Sequence, residues 1–149
     1  MGSAGRTLLL LMFSLYWGGL TFYTGFVVRI SHDVLADAMD GGLITQRVTA
    51  VLQILGVVTV ALMAVNAVIV TAKTRRLGYV LVACTVVLAC ALIGLFMVHG
   101  QLDAIIDVEE RVITDRDKFD RGHQSYNQLT TIQWLASLVY LPVTFIAWR

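Results

Sequence analysis

The segment VTAVLQILGVVTVALMAVNAVIVTA, from Val48 to Ala72, contains no charged residue and decides the fold. It is longer than the roughly 20 apolar residues that an α-helix needs to cross the hydrocarbon core of a bilayer. In a helix the backbone N–H and C=O groups bond to one another, which is necessary because lipid offers them no hydrogen-bond partner. The segment therefore predicts a transmembrane helix.

Three further uncharged blocks have the same character: Leu8 to Val28, Leu77 to Val98 and Leu129 to Trp148. The whole chain of 149 residues is 58% hydrophobic and only 14% charged, whereas a soluble domain carries about 25% charged residues. The first block is longer than the apolar core of a signal peptide, roughly 7–15 residues, so we expect it to be retained. We predict an all-α integral membrane protein, a single domain over residues 1–149 with an up-down-up-down four-helix bundle.

Charge predicts the orientation of the bundle. Arg6, the loop at 73–76 and Arg149 are basic without a neighbouring acid, while all ten acidic residues fall in the connections 29–47 and 99–128. Short loops rich in Lys and Arg stay in the cytoplasm. We therefore expect both termini in the cytoplasm and the two acidic connections on the outer face of a plasma or inner membrane.

Both outer connections are expected to lengthen the helices as hairpin extensions. The first helix is predicted to continue to Asp40, because the glycine pair that follows is typical of a helix end, and the second to start near Leu43. The third is predicted to continue amphipathically to Ile113. Thr114, followed three residues later by an acid, fits a capping box, so the fourth is predicted to start at Asp115.

All three histidines of the chain, His32, His99 and His123, fall in one layer just above the predicted outer boundary. Histidine is a common metal ligand, so these residues are candidate ligands of copper, zinc or haem. The alternative is a structural polar layer that closes the bundle and binds no cofactor. Its members are Arg29, Asp33, Arg47, Gln53, Asp103, Asn127 and Gln133. The absence of an H-x-x-x-H motif or a Cys/His cluster favours the structural alternative.

Polar residues at three- and four-residue spacing mark one stripe of the last helix: Phe119, His123, Asn127, Thr130, Gln133 and Ser137. Polar side chains in membrane helices usually face the bundle interior, so His123 is expected to point inward, near Arg29, Asp33 and Arg47. A ridge of small residues on the first helix predicts close helix packing: Ser14, Gly18, Thr21 and Gly25. Cys84 and Cys90 lie six residues apart and are expected to stay free thiols.

Two stretches, YWGGLTFYTGFVVR (Tyr16 to Arg29) and FDRGHQSYNQL (Phe119 to Leu129), resemble the small four-helix membrane proteins related to transmembrane protein 205. The shared features are an aromatic, glycine-rich first helix that ends in a basic residue and an F-x-x-x-H entry to the last helix. The same plan is similar to that of copper-resistance membrane domains, which implies metal handling by analogy. This chain lacks the methionine- or histidine-rich outer segment of such domains.

The sequence favours a non-enzymatic role. We find no nucleotide-binding loop, nucleophile motif or basic nucleic-acid patch, so nucleic acid is not an expected partner. The leading hypothesis is a packing, assembly or accessory subunit of a membrane complex, with the bilayer, a second copy or other membrane subunits as partners. The alternative is a protein that binds or handles copper or another metal, or haem, through the histidine layer.

Overall fold

The computed structural model describes the backbone of residues 1–149 and every side chain except those of His32 and Ala38. The chain is helical apart from one short hairpin. Helix α1 (Ser3–Phe22) continues through a π-helical turn (Tyr23–Val27) into α2 (Val28–Val34); then follow α3 (Ala38–Lys73), α4 (Arg75–Asp103), the strands β1 (Ile106–Asp107) and β2 (Val112–Ile113), and α5 (Arg116–Trp148). Within the described chain, four helical stretches of 29–35 residues are long and apolar enough to cross a membrane.

Helix α4 packs against both α3 and α5, and α1 packs mainly on α3. Thr74 alone joins α3 to α4. Late residues of α3 face early residues of α4, since a Cβ on Gly78 would lie 2.3 Å from the Cα of Thr71. Early residues of α3 face late residues of α4, as in the contact of Gln46 with Asp103. The main buried core consists of Leu9, Phe13, Val60, Met63, Ala67, Val70, Leu81, Leu88, Leu92 and Tyr140.

The outer surfaces of the long helices are apolar. Leu11 of α1 is 57% exposed, Val68 of α3 is 67% exposed and Ile93 of α4 is 61% exposed. In each of the four long helical stretches, only 22–39% of the apolar 18-residue segment is buried inside the chain. Large exposed apolar surfaces are unfavourable in water, so this surface is consistent with an integral membrane protein.

The predicted extension of the first helix is wrong. Helix α2 ends at Val34, and α3 begins at Ala38, so Gly41 and Gly42 lie inside α3 instead of ending a helix. The cause is Asp37, whose side chain accepts a hydrogen bond from the backbone N–H of Met39 at 2.8 Å. An N-cap of this kind pairs an otherwise free N–H group and starts the helix before the glycines.

The predicted continuation of the third helix to Ile113 is also wrong, because α4 ends at Asp103 and an antiparallel hairpin follows, with Ile106 opposite Ile113. The Asp107 side chain accepts hydrogen bonds from two backbone N–H groups of the hairpin turn, both at 3.0 Å. Such local bonds compete with a helix. The predicted start of the last helix at Asp115 is close to the observed start, but Asp115 itself is the cap, accepting from the N–H of Lys118 at 3.0 Å.

The small-residue ridge on α1 does not mediate the predicted close packing. A Cβ placed on Gly18 or Gly25 would meet nothing within 4 Å, and Ser14 is exposed. The buried face of α1 consists of large side chains instead: Leu9, Phe13, Tyr16 and Leu20. Among the glycines, the closest approach to a neighbouring backbone is that of Gly78, at the turn between α3 and α4.

Candidate functional site

Part of the predicted polar layer forms at the end of the bundle that carries the acidic connections. The Gln46 amide donates to the Asp103 carboxylate at 2.7 Å and links α3 to α4. His99 lies one turn before Asp103, with Nε2 3.5 Å from the same carboxylate, and its side chain is 16% exposed. Asp103 therefore belongs to the layer, with Gln46 as a partner that the sequence did not single out.

The predicted cap of Arg29, Asp33 and Arg47 does not form. All three residues are exposed, and none of them forms an ion pair with any side chain that the structure describes. The sequence interpretation assumed that they would pair within one inward layer, whereas they lie on the outside of α2 and α3.

The ion pairs at this end belong to Arg111, in the turn of the β-hairpin. Its guanidinium lies 2.7 Å from the Asp37 carboxylate and 2.6 Å from that of Asp40. Arg111 has a positive φ of 55°, a strained conformation for a residue with a side chain. The backbone N–H of Met39 and the Arg111 guanidinium together lower the pKa of Asp37. These two ion pairs, which we call the Arg111 clamp, hold the β-hairpin to the start of α3.

The prediction that His123 faces the bundle interior is wrong. His123 is exposed and stacks on Phe119, with ring centroids 6.0 Å apart and planes 9° from parallel. At this height the buried face of α5 passes through Gly122, where a Cβ would lie 2.8 Å from the Leu102 side chain of α4. His123 follows Gly122 and is therefore turned about 100° away from that contact. Further along α5, the buried face continues to Tyr140.

The two predicted histidine ligands whose side chains the structure describes, His99 and His123, do not form a metal site. His99 contacts Asp103, His123 lies on the surface of α5, and the side chain of His32 is outside the described residues. Among the side chains that are described, no group of three or more His, Cys, Asp or Glu residues could hold a metal ion.

An exposed polar face runs along α5 beside His123. Its residues are Asp120, His123, Gln124, Asn127, Gln128, Thr131 and Ile132. Asn127 of the predicted polar layer is therefore part of this exposed surface, not of the interior. Most of these residues carry amide, hydroxyl or carboxylate groups, all of which can accept a hydrogen bond.

Below the layer of Asp103, buried polar side chains continue down the bundle. Gln53 is 3% exposed and donates to the Leu95 carbonyl at 3.3 Å and to the Tyr126 hydroxyl at 3.4 Å. Nearby, the Tyr23 hydroxyl donates to Thr45 at 3.1 Å. Gln53 thus lies where the sequence placed it, inside the bundle, and connects α3 with α4 and α5.

The next group of polar contacts joins α1 to α5. The Tyr16 hydroxyl donates to the Gln133 side-chain oxygen at 2.7 Å, and both residues are buried. The Trp134 indole donates to Thr21 at 3.1 Å and stacks on Trp17 at 6.0 Å. Gln133 therefore faces the bundle interior as predicted, whereas His123 does not.

The third group lies towards the end of the bundle that carries the chain termini, around Asn66. Its amide nitrogen donates to the Tyr140 hydroxyl at 3.0 Å and to Thr144 at 3.4 Å. Its amide oxygen accepts from the Trp148 indole at 2.9 Å. The Tyr140 hydroxyl in turn donates to the Met63 carbonyl at 2.9 Å.

We give the name polar column to seven polar residues that bond between helices in these three groups: Tyr16, Gln53, Asn66, Tyr126, Gln133, Tyr140 and Thr144. None of them carries a charge at neutral pH, and their bonds tie α1, α3, α4 and α5 together. Sequence reasoning did not single out these tyrosines as polar contacts between helices. The available signal was that each tyrosine hydroxyl in an apolar block needs a partner, and the blocks contain few amides.

Comparisons of the chain with protein-family models, with curated proteins and with solved structures give no significant match.

Proposed function

We propose that this protein is a non-enzymatic integral membrane subunit whose role is assembly. Its four long helices cross the bilayer in an up-down-up-down order, with helix ends and the β-hairpin outside. The stretches that resemble the proteins related to transmembrane protein 205 imply the same plan. This proposal assigns the chain a structural task instead of a reaction.

The polar column is the observation that carries the proposal. Its bonds, such as Tyr16 to Gln133 at 2.7 Å, connect helices to one another through neutral groups. Catalysis and proton transport in membranes usually rely on ionisable groups inside the bundle. A column of tyrosines and amides supplies stability and a defined packing instead.

We assign the partner contact to this exposed polar face of α5, and the partner is a second copy of this chain. All seven residues of this face are exposed, so no other part of the chain that the structure describes covers it. Amides such as Gln124, Asn127 and Gln128 carry both donors and acceptors. The same face on two copies can therefore pair with itself around a two-fold axis, as symmetric dimers do.

Disulfide crosslinking in liposomes tests this assignment. In a background with Cys84→Ala and Cys90→Ala, the Gln128→Cys variant should form a covalent dimer rapidly on mild oxidation. The matched control is Val87→Cys, on an exposed position of α4, which should stay mostly monomeric. Native mass spectrometry of the unmodified protein should show a dimer. Equal crosslinking of both variants, together with a strictly monomeric protein, would contradict the proposal.

The orientation is a separate prediction, based on the basic loop between α3 and α4 and the acids of the other connections. A cysteine at Arg75 should react with a membrane-impermeant maleimide only after the cells are opened, whereas a cysteine at Glu110 should react in intact cells. Both residues are exposed and lie outside the four uncharged blocks of the sequence. The opposite pattern of labelling would reverse the proposed orientation.

A further inference from the structure

Two buried polar atoms of α5 have no hydrogen-bond partner among the side chains and backbone that the structure describes. They are the Gln133 amide nitrogen and the Thr130 hydroxyl oxygen. Gln133 is 0% exposed and Thr130 is 9% exposed. The two residues are three positions apart on α5, so they lie on the same face, one turn apart.

A third buried polar atom without a described partner lies on α1. The contact between α1 and α5 is called the α1–α5 seam. The indole nitrogen of Trp17 is also buried and unpartnered among the described residues. Trp17 stacks on Trp134, the neighbour of Gln133, at 6.0 Å. The residue before it, Tyr16, bonds directly to Gln133. Trp17 and Gln133 therefore both lie where α1 meets α5, and Thr130 lies one turn from Gln133 on α5.

A different assignment of the Gln133 amide does not remove the deficit. If its oxygen and nitrogen exchanged places, the nitrogen could donate to the Tyr16 hydroxyl, but the oxygen would then lack a donor. The Tyr16 hydroxyl would also need a new acceptor. Because these residues belong to segments apolar enough to cross a membrane, lipid cannot supply the missing partners, and an unpaired buried polar group is costly there.

We propose that the α1–α5 seam binds one buried water molecule, held by the Gln133 amide, the Thr130 hydroxyl and the Trp17 indole. Water fits this set because the Gln133 and Trp17 N–H groups each need an acceptor, and a water oxygen accepts two hydrogen bonds. One water proton is then donated to Thr130. Three bonds are typical of a buried water that satisfies otherwise unpaired groups. This site does not depend on the proposed assembly role.

The sign of a stability change tests the site. Thr130→Val removes the hydroxyl and keeps the shape. If water bonds to Thr130, the variant should unfold more readily, with an unfolding equilibrium constant about fivefold larger, the change expected for one lost hydrogen bond. If the hydroxyl is truly unpaired, its removal should leave stability unchanged or increase it, and that result would overturn the proposal. Thr131→Val is the matched control, since Thr131 is exposed and bonds only to the Asn127 carbonyl.

A measurement on the unmodified protein supplies the second arm. The chain has three tryptophans, and two of their indoles donate to Thr21 and Asn66. In ¹⁵N-labelled protein, the Trp17 indole proton, assigned with Trp17→Phe, should show a cross-relaxation peak to a bound water. That peak should be lost in Thr130→Val together with Gln133→Leu. A Trp17 indole proton with a non-bonded chemical shift and no water peak would exclude the site.

Discussion

Replacing Gly78 with alanine should destabilise the fold more than any other single-methyl addition, by about 3 kcal/mol, near the upper end for overpacking. A Cβ at this position would lie 2.3 Å from both the Cα and the hydroxyl oxygen of Thr71. The Cα is backbone and cannot rotate away. Thr74 is the single residue that joins α3 to α4, so the helices cannot slide apart without breaking the turn.

Gly18→Ala is the matched control for this prediction. Gly18 also lies inside a long helix, but a Cβ there would meet nothing within 4 Å. Alanine is a better helix former than glycine by about 1 kcal/mol, so this variant should be neutral or slightly more stable. Helix content followed by circular dichroism during titration with a denaturing detergent measures both variants. Equal stability of the two variants would contradict the close approach of α3 and α4 at Gly78.

The apolar blocks were predictable because their signal is local. A long uncharged run such as Val48 to Ala72 predicts a helix whatever the rest of the chain does. The four long helices follow directly from that signal and confirm the all-helical prediction. The ends of the helices were harder to predict, because a single capping residue, Asp37, starts α3 ahead of a glycine pair that pattern rules treat as a stop signal.

The candidate site was predictable only where burial fixes the orientation of a side chain. Gln53 and Gln133 lie within their apolar blocks, where an amide is expected to face the bundle, and both are buried. His123 lies near the end of α5, where water is close and either orientation is tolerated. The Arg111 clamp joins residues 74 and 71 positions apart, and nothing local in the sequence indicates that pairing.

Replacing Asn66 with leucine should destabilise the bundle by about 2 kcal/mol, since it removes three interhelical hydrogen bonds that are worth about 0.6 kcal/mol each in a membrane protein. Leucine has the same number and branching of side-chain heavy atoms as asparagine, so the substitution leaves no cavity. Asn66 is 0% exposed, and its oxygen accepts from the Trp148 indole at 2.9 Å. Asn127→Leu is the matched control, and because Asn127 is exposed its effect should stay within about 0.5 kcal/mol.

A double-mutant cycle separates this explanation from simple misfitting of leucine. Trp148→Phe removes the indole N–H, so it leaves the Asn66 oxygen without that donor. If the Trp148 indole donates to the Asn66 oxygen, the double variant should lose clearly less stability than the sum of the losses in the two single variants. The reason is that the double variant leaves no unpaired partner of this bond. Detergent unfolding of the four proteins, followed by circular dichroism, gives the coupling free energy. A coupling near zero would mean that the bond between the Trp148 indole and the Asn66 oxygen contributes nothing to stability, which would contradict this part of the prediction.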